Sequence, residues 1–125
     1  MNEKNLLNFY EVSSKTVVET EERAIGCALL DFAEVGIMRQ HGLLSGMFRD
    51  DFWRATFAVM EAFDERNEEA DAIKIRSAVN ARNPHWSIDD ARERLAKAID
   101  AVPSAAHARD YAQTLCRIDE QRQLL

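Results

Sequence analysis

Residues 87–125 read SIDDARERLAKAIDAVPSAAHARDYAQTLCRIDEQRQLL, and this stretch decides the architecture. Ile88, Ala91, Leu95, Ala98 and Val102 recur at alternating spacings of three and four, the repeat of an apolar stripe along one helix. Ser87 stands just ahead of them, where its hydroxyl can accept one of the first unpaired backbone N–H groups. Pro103-Ser104 interrupts the pattern, and Ser104 is placed to cap a second helix. In that helix Ala108, Tyr111, Leu115, Ile118 and Leu125 keep the same register, with Arg122 the one polar intruder. Two such helices joined by a Pro-Ser turn read as an antiparallel helical hairpin. The seam either packs on the domain's own core or pairs in part with another subunit, and periodicity alone favours the first. Residues 121–125 hold no Gly, Asn or Pro stop signal, as expected of a chain cut at or inside a helix of a longer protein.

Working outward, residues 50–66 form the most hydrophobic segment. Phe52, Ala55, Thr56, Val59 and Phe63 line one helical face, and Trp53, Phe57 and Met60 widen it. A stripe that wide predicts a central helix covered on more than one side. Asp71 is placed to cap the next helix, whose Ile75, Ala78 and Val79 face the core before Asn83-Pro84 breaks it. Nearer the N-terminus, Thr16-Val17-Val18-Glu19 has capping-box spacing. After it Val18, Ile25, Ala28, Leu29 and Phe32 share a face, and a short helix over 33–40 stops near Gly42. The sum is an all-α fold, a compact bundle of about six helices in one domain. Its parts are a loose polar leader over 1–16, a globular core over 17–86 and the hairpin over 87–125.

Composition agrees. The 125 residues contain only 4 Gly and 2 Pro, too little turn punctuation for a many-stranded sandwich. A chain this long buries roughly two-thirds of its unfolded surface, enough for a cooperative core. The net charge of −6 argues against a domain that holds DNA through its phosphates, so a helix-turn-helix DNA binder is disfavoured. Glu61, Asp64, Glu65, Glu68, Glu69 and Asp71 make a strongly acidic run opposed by Arg66 alone. Such runs are mostly solvated faces, and they can also attract basic partners. The following stretch leans basic, with Lys74, Arg76, Arg82, Arg92, Arg94 and Lys97 against Asp89, Asp90 and Glu93.

Motifs for catalysis do not emerge. The glycines stand singly at 26, 36, 42 and 46, with no phosphate-cradling loop followed by Lys-Ser or Lys-Thr. His41, His85 and His107 are scattered and match no metal-ligand spacing, so each reads as a surface or cap residue. Cys27 and Cys116 lie far apart in apolar helical patterns, as small hydrophobes do. No secretory signal or membrane-length apolar run occurs, and a reducing cytoplasm is the expected compartment. Catalytic, cofactor-binding and metal-ligating residues are all expected to be absent.

The order of segments resembles the N-terminal domain of DnaB-family replicative DNA helicases. Glu19-Thr20-Glu21-Glu22-Arg23-Ala24-Ile25-Gly26-Cys27-Ala28-Leu29-Leu30-Asp31 resembles its opening helix, which begins acidic and runs into a Leu-Gly-Ala-Leu-Leu-like core. Phe48 through Met60 looks like the aromatic start and apolar helix that follow, and Asp71 falls where the family places an Asp before its next helix. Val102-Pro103-Ser104-Ala105-Ala106, then Tyr111-Ala112 and the Arg122-containing end, are similar to the last turn and helix. Each motif is weak by itself; four in order over residues 19–125 are specific. Three features depart from the pattern: Trp53 stands where a His is common, Asn67-Glu68-Glu69-Ala70 where a Gly-containing turn is usual, and the plain charged helix 88–99 where a Gly-Gly-aromatic-Leu stretch is expected. They point to a divergent branch, such as a phage-, plasmid- or mobile-element-borne one.

The resemblance implies a collar domain that does no chemistry and helps six copies assemble as a trimer of dimers. It implies partners in a second copy of the chain and in primase or a helicase loader, with DNA touched only indirectly. ATP and Mg²⁺ belong to a C-terminal motor domain outside this sequence. The implied self-association residues are Ala108, Tyr111, Leu115 and Ile118, with Leu95 and Val102 beside them. The nearest alternatives are the helicase-interaction domain of a primase and a free-standing loader or inhibitor that mimics the collar.

Overall fold

The computed structural model describes the backbone of residues 3–124 and side chains from residue 14 onward, so Leu125 of the expected seam lies outside the described residues. Six α-helices follow in order: α1 (Glu3–Leu30), α2 (Ala33–Gln40), α3 (Asp51–Glu65), α4 (Ala72–Arg82), α5 (Ile88–Asp100) and α6 (Ala108–Gln123), with a short 3-10 turn at Ser45–Met47. No strand occurs among the described residues.

Local chemistry sets most helix starts. The Asp50 carboxylate accepts from the backbone N–H groups of Phe52 and Trp53, at 2.9 and 3.1 Å, and so opens α3. Asp71 accepts from Lys74 N at 2.8 Å to open α4, and Ser87 Oγ accepts from Asp90 N at 3.0 Å to open α5. Two expected starts differ. Helix α1 begins at Glu3, so Thr16 lies within it rather than at its N-terminus. Ser104 Oγ accepts from Ala106 N at 3.2 Å, closing a tight turn instead of capping α6, which starts beyond His107 without a side-chain cap.

Helix stops are equally local. At the end of α2, Leu43 N donates to Met38 O and Gly42 N to Arg39 O, at 3.1 and 2.9 Å, with Gly42 at φ +97°. This is the paired closure in which a left-handed residue satisfies the last carbonyls. Helix α3 ends the same way: Glu68 N bonds Phe63 O and Asn67 N bonds Asp64 O, and Asn67 sits at φ +56°. Among residues with a side chain, Asn tolerates that conformation unusually well. The missing glycine in the 67–70 turn is thereby explained.

Helix α1 is the spine. It packs against α5, α6, α3 and α2, while α2 also meets α6 and α4 bridges α3 and α5. Gly26 of α1 lies against Ala98 and Val102, and Cys27 Sγ donates to Ser104 O at 3.7 Å. Toward the other end of the packed region, Glu21 is held near Asp50, which Arg94 also reaches. Hence α5 runs with α1 and α6 runs against it. The two arms of the C-terminal pair are antiparallel, yet they straddle α1 instead of lying face to face. The core beneath them is aromatic: Phe48 stacks on Phe57 with ring centres 5.0 Å apart, and Phe52 meets Trp53 and Trp86 edge-on at 5.1 Å each.

Candidate functional site

The close fit of α1 with its neighbours depends on small residues. Ala24, Ile25, Cys27 and Ala28 are fully buried and Gly26 among them is buried too, so this turn of α1 is enclosed on every side. A Cβ on Gly26 would stand 2.1 Å from the Ala98 carbonyl oxygen, well inside van der Waals contact. Glycine is therefore required for α5 to approach. Burial lifts the Cys27 thiol to about 11, with the nearby Glu34 charge adding to the effect. Cys116 is raised too, again mainly by burial. Neither sulfur is poised as a reactive thiolate.

A polar hub joins α1, α3, α5 and α6. Glu21 is wholly buried, and its carboxylate accepts from the backbone N–H groups of Arg49, at 2.6 Å, and Asp50, at 3.1 Å. Burial raises its pKa above the usual carboxylate value, the two N–H donors pull it back, and the Asp50 charge raises it further. Asp50 takes Arg94 Nη2 on its other oxygen at 3.0 Å. The Arg94 guanidinium lies 4.6 Å from the Phe52 ring centre and 4.7 Å from that of Trp53. Arg122, the polar intruder in the α6 stripe, reaches back to donate to Met47 O at 2.7 Å and pairs with Asp119 at 3.3 Å. This hub orients the helices it joins. No group of three or more His, Cys, Asp or Glu able to hold a metal occurs among the described residues.

The expected self-association residues divide. Leu95, Val102, Ala108 and Leu115 are at most 6% exposed and pack into the domain's own core. Tyr111 and Ile118 are half-buried and keep outward area. Ile88, expected in the stripe of α5, is 58% exposed, because the helix turns its first residue away from the core. The periodicity thus reports core packing, since α1 occupies the space between the two arms.

Open surface lies elsewhere. Ile73 on α4 is 64% exposed and Leu30 at the end of α1 is 45% exposed. A groove of about 440 Å³ runs beside Leu30, and a smaller one of about 150 Å³ runs beside Ile73. The sequence carries one signal for Ile73: it falls off the face shared by Ile75, Ala78 and Val79. No helix among the described residues is long and apolar enough to cross a membrane.

Helices packed around a buried spine, with open grooves on the outer faces, make this a compact all-α bundle built for contact rather than around a cleft. The family model for the DnaB-like helicase N-terminal domain matches residues 13–117, and the chain belongs to that family. Its fold is similar to the crystal structure of the N-terminal domain of DnaB helicase from Mycobacterium tuberculosis, with a TM-score of 0.72 and 24% identity over 81% of this chain and 69% of that one. Comparison with curated proteins gives no match.

Proposed function

We propose that this chain is a non-catalytic collar of a replicative DNA helicase, which promotes ring assembly as dimers and hexamers and receives primase or a loader during DNA replication. The observation that carries this reading is the family match, which spans both the α1 spine and the Pro103 turn. The net charge of −6 supports indirect rather than direct contact with DNA. The grooves beside Leu30 and Ile73 supply surface for other chains, and Tyr111 and Ile118 supply the part of the seam that stays accessible. ATP and Mg²⁺ act in the motor domain of such helicases, and this domain works beside it in the cytoplasm.

The test is a pull-down with the chain immobilised and purified primase or purified helicase presented separately. Retention of primase is expected. Retention of helicase without primase reassigns the chain to the primase side of the pair, and tight ATP binding by these residues contradicts the reading outright.

A further inference from the structure

Among the described residues the half-buried arginines are Arg39, Arg76, Arg94 and Arg122. Three are anchored by acid within the molecule: Arg39 by Asp64 and Glu65, Arg94 by Asp50, and Arg122 by Asp119. Arg76 is the exception. It makes no hydrogen bond, ion pair or ring contact among the described residues. A guanidinium that gives up part of its hydration without gaining an acceptor is poorly compensated, and a carboxylate brought from outside supplies what the chain does not.

Arg76 lines the groove of about 150 Å³ between α4 and α5. Ile73 stands beside it on the α4 wall, and Leu95, Ala96 and Ile99 belong to the α5 wall, with Arg92 as a second cation. The two charged residues of the lining are thus both arginines, and the rest of it is aliphatic. Arg92 is held by Asp89 alone, at 3.6 Å, and both side chains are exposed, so that pair is weak and opens readily. Leu95 is only 4% exposed and closes the floor, while Ile73 is 64% exposed. An apolar space of about 150 Å³ accepts one group of roughly benzene size.

We infer that the groove between α4 and α5 binds a short acidic segment of another protein, in which carboxylates flank one large apolar side chain. The apolar side chain covers Ile73 and Leu95, and the carboxylates pair with Arg76 and Arg92, whose planar forks can each offer two parallel N–H donors. The net charge of −6 gives such a segment no long-range attraction, so recognition comes from close contact, and the apolar and charged parts of the groove act together. Single-stranded nucleic acid carries the same sign of charge, but the lining offers no aromatic platform on which bases could stack. This inference rests on the partner-binding role proposed above. Its failure is read with a peptide and that role's with the primase pull-down, so the two are separable.

The test is fluorescence anisotropy of a short labelled peptide, one phenylalanine between two runs of aspartate, titrated with the 125-residue chain. Saturable binding is expected. Arg76→Glu, Arg92→Glu and Ala96→Trp, which fills the groove without changing its charge, should each weaken it about fivefold or more. The same peptide with serine for phenylalanine should bind about fivefold more weakly, and a peptide with lysine for aspartate should bind Arg76→Glu better than the wild type. Arg92 and Ala96 are exposed, so their variants keep the fold, and far-UV circular dichroism checks all three. Absence of saturable binding overturns the site, as does binding unmoved by the three variants. Equal affinity for the phenylalanine and serine peptides, or for an oligothymidylate, overturns it as well. A solution mass that drops from dimer to monomer on Ala96→Trp would show the groove covered by a second copy, and that also contradicts the inference.

Discussion

Replacing Gly26 by alanine sets two effects against each other. In the middle of a helix, Gly→Ala ordinarily stabilises by about 1 kcal/mol, because glycine loses more backbone freedom on folding. Here the new methyl carbon would meet the Ala98 carbonyl oxygen at 2.1 Å, the Ala98 carbonyl carbon at 2.9 Å and Val102 Cγ2 at 3.0 Å. Two of those atoms are backbone and cannot rotate away, so α5 has to move off α1 and loosen Leu95, Ala98 and Val102. Overpacking of this kind costs about 1–3 kcal/mol, and contact with backbone belongs at the upper end. The expected net loss is about 2 kcal/mol. With a urea slope of about 1.5 kcal/mol/M for a chain this size, the midpoint falls by about 1 M. Gly36→Ala is the control: its methyl stands 3.5 Å from Asp64 Oδ1, an ordinary contact in α2, and the midpoint should rise. Urea titration followed by far-UV circular dichroism reads both. A Gly26→Ala midpoint at or above the wild-type value refutes the close approach of α1 and α5.

Three further outcomes follow from particular contacts. Asn67→Ala should cost about 1 kcal/mol, because alanine bears the full penalty of φ +56°, whereas Asn67→Gly should not lower stability; equal midpoints for the two would contradict the assigned turn. Arg94→Ala should cost about 1–2 kcal/mol, and Arg94→Lys should recover little of it, since an ammonium cannot both stack on Phe52 and Trp53 and fork toward Asp50. Full recovery by lysine in thermal melts would show that charge alone matters there. Glu21 has a raised folded-state value, so between the ordinary 4.5 and that value the folded chain holds a proton the unfolded chain has released. Stability contributed by this group therefore falls as pH rises through that window and is level above it. Glu21→Gln should remove that part of the slope in urea midpoints measured from pH 4 upward, and an unchanged slope would assign it to other groups.

Much of the fold is legible in sequence because it is written in short-range chemistry. Asp50, Asp71 and Ser87 each cap the helix they precede, and each is recognisable from a small acceptor ahead of an apolar run. Gly42 and the Asn83-Pro84 pair stop helices for reasons equally local. The failures share a cause. Thr16 has capping-box spacing, yet helix continues upstream of it to Glu3, and spacing cannot tell an internal Thr from a terminal one. Ser104 reads as a helix cap but closes a separate turn, with α6 starting later. The stripes of α5 and α6 pack on the domain's own core, as periodicity favours, but it does not show that α1 lies between the two arms and takes up Leu95, Val102, Ala108 and Leu115. Which partner covers an apolar stripe is a long-range fact. The same holds for Glu21 and Arg122: nothing local shows that one meets the backbone ahead of α3 and the other the Met47 carbonyl.

The proposed role in ring assembly requires that this domain associate with itself. The decisive measurement is the solution mass of the whole 125-residue chain over a wide range of concentrations, by light scattering behind size exclusion. A collar domain is expected to give twice or six times its 14.3 kDa, with the larger species growing in as concentration rises. A mass that stays at one chain up to the highest concentration contradicts the proposed role in ring assembly.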